Sequence, residues 1–376
     1  MLQRLTTMLV KEFIQILRDP KMRFVILVVP LFQIVMFGYA VNTDVKHVAT
    51  AVYDLDNSRE SREFIARLSR SGYFDIAMHV DREGELGELL DSGRATMALK
   101  IGPGFAGALT GGRSAPVQVI VDGSEASSAG IIVGHVTAIA ARFGDMVLVE
   151  QLARQRGGLP RIGRVTLAGR SWFNENLESR NYYVPGVSAL LLLITTMMLS
   201  SMAVVREKEI GTMEQIIVTP IRRWEFILGK TIPFACIGYT NLLVVTLVAI
   251  FWFDIPFRGN VLVLVAATSA YMLCTLGFGL FISTVSHTQQ QAMMSSFMFT
   301  FPAMLLSGFA FPIANMPPVI QWFTFLNPLR YYLVIVRGVF LKGIGFGVLW
   351  PELVGLLILG GTILPVAIWR FRKTVS

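Results

Sequence analysis

Six long apolar stretches constrain this chain more than any other feature of its 376-residue sequence. A helix needs about 20 consecutive apolar residues to cross the hydrocarbon core of a bilayer. None of the six stretches has an Asp, Glu, Lys, Arg or His near its centre. The sequence therefore predicts a mainly α-helical membrane protein with six transmembrane helices. They lie at roughly 24–41, 184–204, 231–253, 261–284, 291–312 and 349–369.

The charge composition supports a membrane location. Only 15% of the residues are charged, whereas a soluble domain carries about 25%. The net charge of +8 would suggest a nucleic-acid partner in a soluble protein. In a membrane protein the same excess is expected, because Lys and Arg collect on the cytoplasmic side. Here the basic residues cluster near the ends of the apolar stretches, so we expect lipids, and no nucleic acid, as a partner.

The positions of Lys and Arg also predict the orientation. They are concentrated before the first stretch, after the second and after the last, so both termini are expected in the cytoplasm. Arg330, Arg337 and Lys342 run mildly against this pattern. The first stretch could also be a cleaved signal peptide. The acidic residues Glu12 and Asp19 before it, and the lack of a small-residue cleavage site after it, favour a retained helix.

Residues 1–22 have a different periodicity. Apolar residues recur there every three or four positions with charged residues between them, which predicts an amphipathic helix in the cytoplasmic interface. The first transmembrane helix then occupies 23–41. The alternative is a cytoplasmic helix packed on a partner protein. The recurring apolar residues are Leu2, Leu5, Leu9, Phe13 and Ile16.

Residues 42–182 have the composition of an ordinary soluble domain. Short β-rich segments alternate there with helical ones, which predicts an inserted α/β or α+β sheet domain. With both termini inside, this domain would be extracytoplasmic, since long domains are translocated regardless of their charge. Strands are expected within 48–56, 73–80, 95–101 and 115–123, and helices at 58–69, 82–90 and 127–154.

Motifs for catalysis or cofactor binding are missing from the sequence. No G-x-x-x-x-G-K-[ST] phosphate loop occurs, and the glycine-rich run at 102–112 lacks the Lys that should follow its glycines. The four histidines have no metal-ligand spacing. Asp54 and Asp56 are interpreted as caps of the helix that starts at Ser58. The chain itself is therefore not expected to hydrolyse ATP or to bind a cofactor or a metal.

The span centres argue against ion-coupled transport. Proton relays and ion-coupled transporters need ionisable groups at membrane depth, and these spans offer hydroxyl and amide groups instead. Such spans fit a passage for amphipathic or apolar compounds, or a passive scaffold. The polar residues concerned are Gln33, Thr195, Thr196, Thr240, Asn241, Ser295 and Ser296.

The charged stretch "VVREKEIGTMEQIIVTPIRRWEFILGK" separates the second and third apolar stretches. A helix over 205–219 would carry Glu207, Gly211 and Glu214 on one polar face, and Pro220 would follow its end. This pattern predicts a short cytoplasmic helix with its polar side in water, suited to transmitting force from a cytoplasmic partner. The alternative is an interfacial anchor with no partner.

This stretch resembles the cytoplasmic loop of the type-2 ABC exporter permeases. In that family a basic residue, two Glu, Gly-Thr, an acidic residue or Glu/Gln pair and Thr/Ser-Pro follow one another, and the segment docks into a groove of a separate nucleotide-binding subunit. The resemblance therefore implies a coupling helix at 205–220. The matching residues are Arg206, Glu207, Glu209, Gly211, Thr212, Glu214, Gln215 and Pro220.

A second match lies later in the chain. The run from Thr288 to Gln291, the segment "LLSGFAFPIANMP" and the run from Asn327 to Arg330 resemble the family's fifth span and the re-entrant hairpin after it. Irregular backbone at membrane depth is tolerated only where protein or a cavity satisfies it. The resemblance implies such a hairpin at about 312–345, the alternative being an ordinary external loop. Candidates for the passage and its outer gate are Met304, Phe309, Phe311, Pro312, Asn327 and Pro328.

The resemblance covers essentially the whole chain. Transmembrane helices two to six lie in 183–376. It implies a permease that works as a dimer in a bacterial inner membrane and exports drug-like or lipid-like compounds. ATP and Mg²⁺ would bind to a separate ATPase subunit, and a periplasmic adaptor would join if the pump crosses the whole envelope. The main alternative is a sensor or assembly scaffold whose external domain binds a ligand or adaptor. A membrane enzyme is disfavoured by the missing catalytic groups.

Overall fold

The chain forms two compact units in a computed structural model. One unit comprises Met1–Asn42 and Arg170–Ser376, and the other comprises Thr43–Gly169. Each unit has its own hydrophobic core. The structure describes residues 2–40, 45–156, 172–174, 178–212 and 221–371.

The inserted unit is built on a four-stranded sheet. The strands are β1 (Val48–Asp54), β2 (Phe74–His79), β3 (Met97–Ile101) and β4 (Val117–Val121), in the order β2-β1-β3-β4. β1 is parallel to β2 and β3, whereas β4 is antiparallel to β3. The helices are α3 (Arg59–Arg70), α4 (Glu83–Asp91), α5 (Phe105–Thr110) and α6 (Ala126–Arg156). The four strands and the helices α3, α4 and α6 lie where the sequence predicted them. α5 was not predicted, since it lies within the glycine-rich run at 102–112. The extracytoplasmic location of the segment stays a prediction.

Helices cover both faces of this sheet. Phe64 of α3, Phe105 of α5 and Phe143 of α6 pack together on one face. Leu86 and Leu89 of α4 pack on the other. Because both faces are covered, the central strands β1 and β3 consist largely of buried residues. The edge strand β2 has exposed residues at every second position.

The other unit is a helical bundle preceded by α1. Its helices are α1 (Leu2–Arg18), α2 (Pro20–Ala40), α7 (Ser179–Ile210), α8 (Arg223–Phe251), α9 (Val261–Val285), α10 (Gln289–Leu305), α11 (Pro318–Phe323), α12 (Pro328–Arg337) and α13 (Phe346–Arg370). α7 contacts α2, α8, α9, α10 and α12 and is the most buried of the long helices. A Cβ at Gly279 of α9 would lie 1.8 Å from Ser200 Oγ of α7, so glycine permits this close crossing.

Five described helices are long and apolar enough to cross a membrane. Four of them correspond to predicted spans and contain Ser179–Ile210, Trp224–Phe251, Val261–Val285 and Phe346–Arg370. The fifth, Ser128–Gln151, belongs to α6, whose Ile132, Val136 and Phe143 pack in the core of the inserted unit. The predicted spans 24–41 and 291–312 correspond to α2, with a shorter apolar part at Ile26–Ala40, and to the 17-residue α10. A total of six spans therefore stays a prediction.

Polar side chains inside the bundle join helices to one another. Thr196 Oγ1 donates to Thr275 Oγ1 at 2.8 Å, and Asn241 Nδ2 donates to Thr195 Oγ1 at 3.2 Å. Ser283 Oγ accepts the backbone N–H of Val204 at 2.9 Å. Interhelical hydrogen bonds of this kind hold membrane helices together. Three of the polar residues considered for a passage, Thr195, Thr196 and Asn241, are therefore packing residues of the bundle.

Short helices fill the proline-rich segment that was predicted as a re-entrant hairpin. A 3₁₀ turn at Ile313–Asn315, α11, a second 3₁₀ turn at Thr324–Leu326, α12 and a π-helical turn at Gly338–Lys342 follow one another. α12 packs against α7, α9 and α13. The backbone is broken and partly buried, as the prediction required, but its depth in a membrane stays a prediction.

Candidate functional site

A buried cluster of charges joins three helices at one end of the bundle. Lys230 of α8 lies between Glu12 of α1 and Glu207 of α7, with its Nζ 2.8 Å from Glu12 Oε1 and 2.5 Å from Glu207 Oε1. All three side chains are at most 5% exposed. Lys11 Nζ lies 3.9 Å from both Oε1 atoms. Buried charges persist only when they are paired, and each of these has a partner of opposite sign.

This cluster corrects the predicted exposure of Glu207, whose role in coupling stays a prediction. α7 continues to Ile210, so residues 205–210 form the last turns of a long helix and not the start of a separate one. Gly211 ends α7 with a left-handed backbone (φ 81°), the conformation that glycine adopts without strain. The hydroxyl of Thr212 donates to the Glu207 carboxylate. Glu207 thus points into the bundle, whereas the prediction placed it on a water-facing surface.

The two regions that resemble the exporter permeases meet in the structure. Glu209, near the end of α7, accepts hydrogen bonds from the backbone N–H of Gln289, at 3.0 Å, and from its side-chain amide. Gln289 is the first residue of α10. Thr288 caps that helix by accepting the N–H of Gln291 at 3.1 Å, while Gln291 Oε1 accepts the N–H of His287 at 2.8 Å. Glu209 therefore connects the end of α7 to the start of α10.

The structure describes only some of the predicted coupling residues. Glu214, Gln215 and Pro220 lie outside the described residues, as does the second half of the predicted helix at 205–220. Arg206 is half-buried and lines a cleft beside α1. Gly211 is exposed, and nothing lies near the position of a Cβ on it.

The candidates for an outer gate do not form one surface. Asn327 is buried, donates to the carbonyl of Ala303 at 2.6 Å and caps α12 by accepting the N–H of Leu329. Pro328 is buried as the first residue of α12. These contacts give both residues a structural role in this subunit, and their part in a gate stays a prediction.

Of the other gate candidates, Phe309 is buried and Met304 is half-buried. Phe309 contacts Tyr183 edge to face, with ring centroids 6.1 Å apart. Phe311 and Pro312 are exposed. A passage or gate at these residues stays a prediction.

Sequence reasoning missed Glu12 and Lys230 as members of a site. In the sequence, Glu12 is used only as an acidic residue before the first apolar stretch, and no role is assigned to Lys230. The spacing is a partial signal, because Met8, Glu12 and Ile16 are four residues apart and share one face of α1. The structure shows that this face is buried. A charged residue in the middle of a buried stripe indicates a partner of opposite charge inside the protein.

Arg337 was noted in the sequence only because it disturbed the charge pattern. Its guanidinium lies over the ring of Tyr182, 3.6 Å from the centroid, and donates to the carbonyl of Gly308 at 3.3 Å. Among the described residues, no three His, Cys, Asp or Glu side chains are arranged to hold a metal ion.

Comparison with known proteins identifies the family. Residues 20–369 match the family described as "ABC-2 family transporter protein". The chain is 31% identical, over the full length of both proteins, to the "Probable multidrug ABC transporter permease YbhR" of Escherichia coli. It is 32% identical to the "Probable multidrug ABC transporter permease YbhS" over 91% of this chain and 89% of that protein. It is 27% identical to the "Inner membrane transport permease YhhJ" of the same organism, over 98% and 96% of the two chains.

The match covers the bundle, the inserted unit and both motifs. The family implies that an ATPase subunit and a second permease subunit are partners, and that the chain is a membrane subunit of a transporter and not itself an enzyme. The chain belongs to the ABC-2 family of transporter permeases.

Proposed function

We propose that the chain is the permease of an ATP-driven exporter that moves amphipathic or hydrophobic, drug-like or lipid-like compounds out of the cytoplasm or the inner leaflet. ATP and Mg²⁺ bind to the separate ATPase subunit. Two relatives carry the words "multidrug ABC transporter permease" in their names, which supports this substrate class. The span centres, which lack ionisable residues, also favour such substrates over ions.

The contact between Glu209 and Gln289 is the observation that carries the proposal. It connects the loop after α7 to the start of α10, although the two residues are 80 positions apart. A force that the ATPase subunit exerts on the segment after Ile210 would reach α7 directly and α10 through Glu209. Movement of both helices against a second permease subunit would change the passage between the subunits.

The charged residues near the end of α7 then have different tasks. Glu207 holds α7 against α8 and α1 through Lys230, so that these helices move together. Glu209 and Gly211 are exposed and would contact the ATPase subunit or transmit its movement. Thr212, Glu214, Gln215 and Pro220 continue the proposed contact surface. A single exposed ion pair contributes only about 0.2–1 kcal/mol, so docking rests on the whole set.

A transport assay with both subunits tests this function. The permease is purified with its co-purifying ATPase and reconstituted in vesicles, and accumulation of a fluorescent amphipathic cation is followed after ATP is added outside. Inside-out pumps should accumulate the dye only with ATP and Mg²⁺. Accumulation without ATP, or purification of the chain without any ATPase subunit, would contradict the proposal.

A second candidate function rests on a cavity in the inserted unit. The cavity has a volume of about 310 Å³. Phe64, Phe105 and Phe143 form part of its wall, and Arg113 lies at the polar side. The size suits a small apolar ligand, so this unit could serve a sensor or an assembly scaffold with an adaptor. A scaffold would show no ATP-dependent dye accumulation in the assay above, which separates the two functions.

A further inference from the structure

The cavity of the inserted unit is large enough to hold a ligand. Its volume is about 310 Å³, whereas a dry cavity of about 150 Å³ is enough to bind benzene. Pockets for small ligands begin at about 300 Å³. The cavity lies between α3, α5 and α6, next to the start of β4. All of its described lining therefore belongs to one compact unit.

The walls of this cavity are apolar and partly aromatic. Phe64 contacts both Phe105 and Phe143, with ring centroids 6.3 Å and 5.3 Å away. Val147 and Leu148 extend the wall along α6, and Leu148 is 54% exposed. Aromatic rings attract one another in edge-to-face or offset pairs at such centroid distances. An aromatic ligand would continue this cluster of rings, which favours it over an aliphatic one.

A single charged residue lines the described part of the cavity. It is Arg113, in the loop between α5 and β4, and its side chain is exposed. The guanidinium makes no hydrogen bond or ion pair with any residue that the structure describes. Asp145 and Glu150 of α6 lie outside the lining, and each has a partner of its own. The described lining is therefore positive and favours an anion.

The turn after α5 keeps Arg113 next to the cavity. The backbone N–H of Arg113 donates to the carbonyl of Ala108 at 2.9 Å, and Gly112 before it has a left-handed backbone (φ 66°). Gln151 of α6 donates from its side-chain amide to the carbonyl of Leu109. This bond joins the end of α5 to α6. The backbone that carries Arg113 is thus fixed against the apolar wall of α6.

We propose that this cavity binds an aromatic carboxylate of one or two rings. The rings lie against Phe105 and Phe143, and the carboxylate accepts hydrogen bonds from Arg113, whose planar guanidinium matches two carboxylate oxygens. The proposal rests on the second candidate function above and names its ligand. Binding needs neither ATP nor a second subunit. A failure to bind would therefore leave ATP-driven export untouched, and a failure of export would leave this binding intact.

Equilibrium dialysis of the full-length protein tests the proposal. The protein is placed in nanodiscs, and binding of radiolabelled naphthoate is measured at neutral pH after the signal of empty nanodiscs is subtracted. The native protein should bind naphthoate more tightly than naphthylmethanol, which has the same rings without the charge. Arg113→Gln should weaken naphthoate binding about fivefold, the upper range for an ion pair at an exposed position. Arg94→Gln removes an exposed arginine after α4 and should bind like the native protein.

Gly144→Leu tests the position of the ligand. Gly144 lines the cavity, and nothing lies within 4 Å of a Cβ there, so the leucine side chain fills the cavity without a clash. Replacing a glycine inside a helix also favours the folded state. The variant should lose naphthoate binding without losing thermal stability. Gly134→Leu is the matched control, because Gly134 is exposed on the same helix, outside the cavity, with nothing within 4 Å of a Cβ.

Three results would overturn the proposal. Equal naphthoate binding by the native protein and Gly144→Leu would place the ligand outside this cavity. Equal binding of naphthoate and naphthylmethanol, unaffected by Arg113→Gln, would show that the cavity does not recognise an anion. Tighter binding of decanoate than of naphthoate, lost in Gly144→Leu, would assign the cavity to an aliphatic carboxylate.

Discussion

Lys230 Nζ lies 2.5 Å from Glu207 Oε1 in the interior of the bundle, although the two residues belong to different helices. The segment between them contains the loop that resembles the coupling region of exporter permeases. The ion pair therefore joins the end of α7 to the start of α8, the two helices that this loop connects. Glu12 adds α1 to the same pair, so three helices are fixed at one point.

We expect Lys230→Met to destabilise the protein severely. The substitution leaves two buried carboxylates with no cation closer than the exposed Lys11, whose Nζ lies 3.9 Å from both. Breaking a buried pair in this way costs about 3–5 kcal/mol. Thermal unfolding of the detergent-purified protein should show a markedly lower midpoint. The exposed Lys208→Met is the control and should unfold like the native protein.

A compensating variant makes this prediction specific. Glu12→Gln and Glu207→Gln, combined with Lys230→Met, remove both carboxylates along with the lysine. Much of the lost stability should return, because no unpaired charge is left inside the bundle. If the triple variant were no more stable than Lys230→Met, packing of the lysine stem and not its charge would explain the loss.

Glu209 and Glu207 should give different phenotypes. Glu209→Gln changes an exposed contact with Gln289, so its effect on the unfolding free energy should stay within about 1 kcal/mol. If Glu209 transmits force to α10, the variant should nevertheless lower ATP-driven dye accumulation several-fold at normal expression. Glu207→Gln should instead lower stability, because it weakens the ion pair with Lys230. Full transport by Glu209→Gln would remove Glu209 from the proposed coupling route.

The sequence was sufficient to predict the inserted unit almost element by element. Alternation of short β-branched runs with amphipathic helices depends on local periodicity, which a single sequence displays directly. The four strands and the helices α3, α4 and α6 lie where the pattern placed them. The antiparallel direction of β4 and the strand order required long-range contacts that no local pattern contains.

The candidate site could be predicted only in part, because its members come from distant segments. Glu207 and Glu209 were identified through a motif, but the motif could not tell which of them points inward. α7 simply continues through Arg206 into the last turn before Gly211, and helical geometry then turns Glu207 toward α8 and leaves Glu209 outside. The pairing with Glu12 depends on the docking of α1, which tertiary packing decides.

The helix caps of the inserted unit could also be predicted only in part from the sequence. Asp54 and Asp56 were both assigned to the helix that follows Ser58. Ser58 itself caps that helix, and Asp54 supports it by accepting a hydrogen bond from Ser61 Oγ at 2.6 Å. Asp56 instead accepts the N–H of Gly104 at 2.7 Å and the N–H of Ala106 at 3.1 Å, and so stabilises the start of α5.

Close packing between α7 and α9 gives a further prediction. A Cβ at Gly279 would lie 1.8 Å from Ser200 Oγ and 2.6 Å from the carbonyl of Met197, so Gly279→Ala must push the two helices apart. Overpacking of this kind costs about 1–3 kcal/mol. Thermal unfolding should detect the loss. Gly361→Ala is the matched control, since nothing lies within 4 Å of a Cβ at that position of α13.

Asp56 should make the inserted unit sensitive to acid. A hydrogen bond from Ser58, opposed in part by burial, and further bonds from the backbone N–H groups at the start of α5 hold the pKa of Asp56 below its usual value. A lowered pKa in the folded state stabilises the fold at pH values above the usual pKa of about 3.9. This contribution is lost as the pH falls through the lowered value.

Asp56→Ala should therefore destabilise the start of α5 by about 1 kcal/mol near neutral pH, the usual cost of removing a capping side chain. Asp56→Asn should cost less, because an amide oxygen can still accept the two N–H groups, but it should abolish the dependence on acid. Hydrogen exchange of the α5 amides in the full-length protein measures both effects. Asp81→Asn, in an exposed loop of the same unit, is the control and should leave exchange unchanged. Equal protection of α5 in the native protein and Asp56→Ala would show that this cap contributes nothing to the fold.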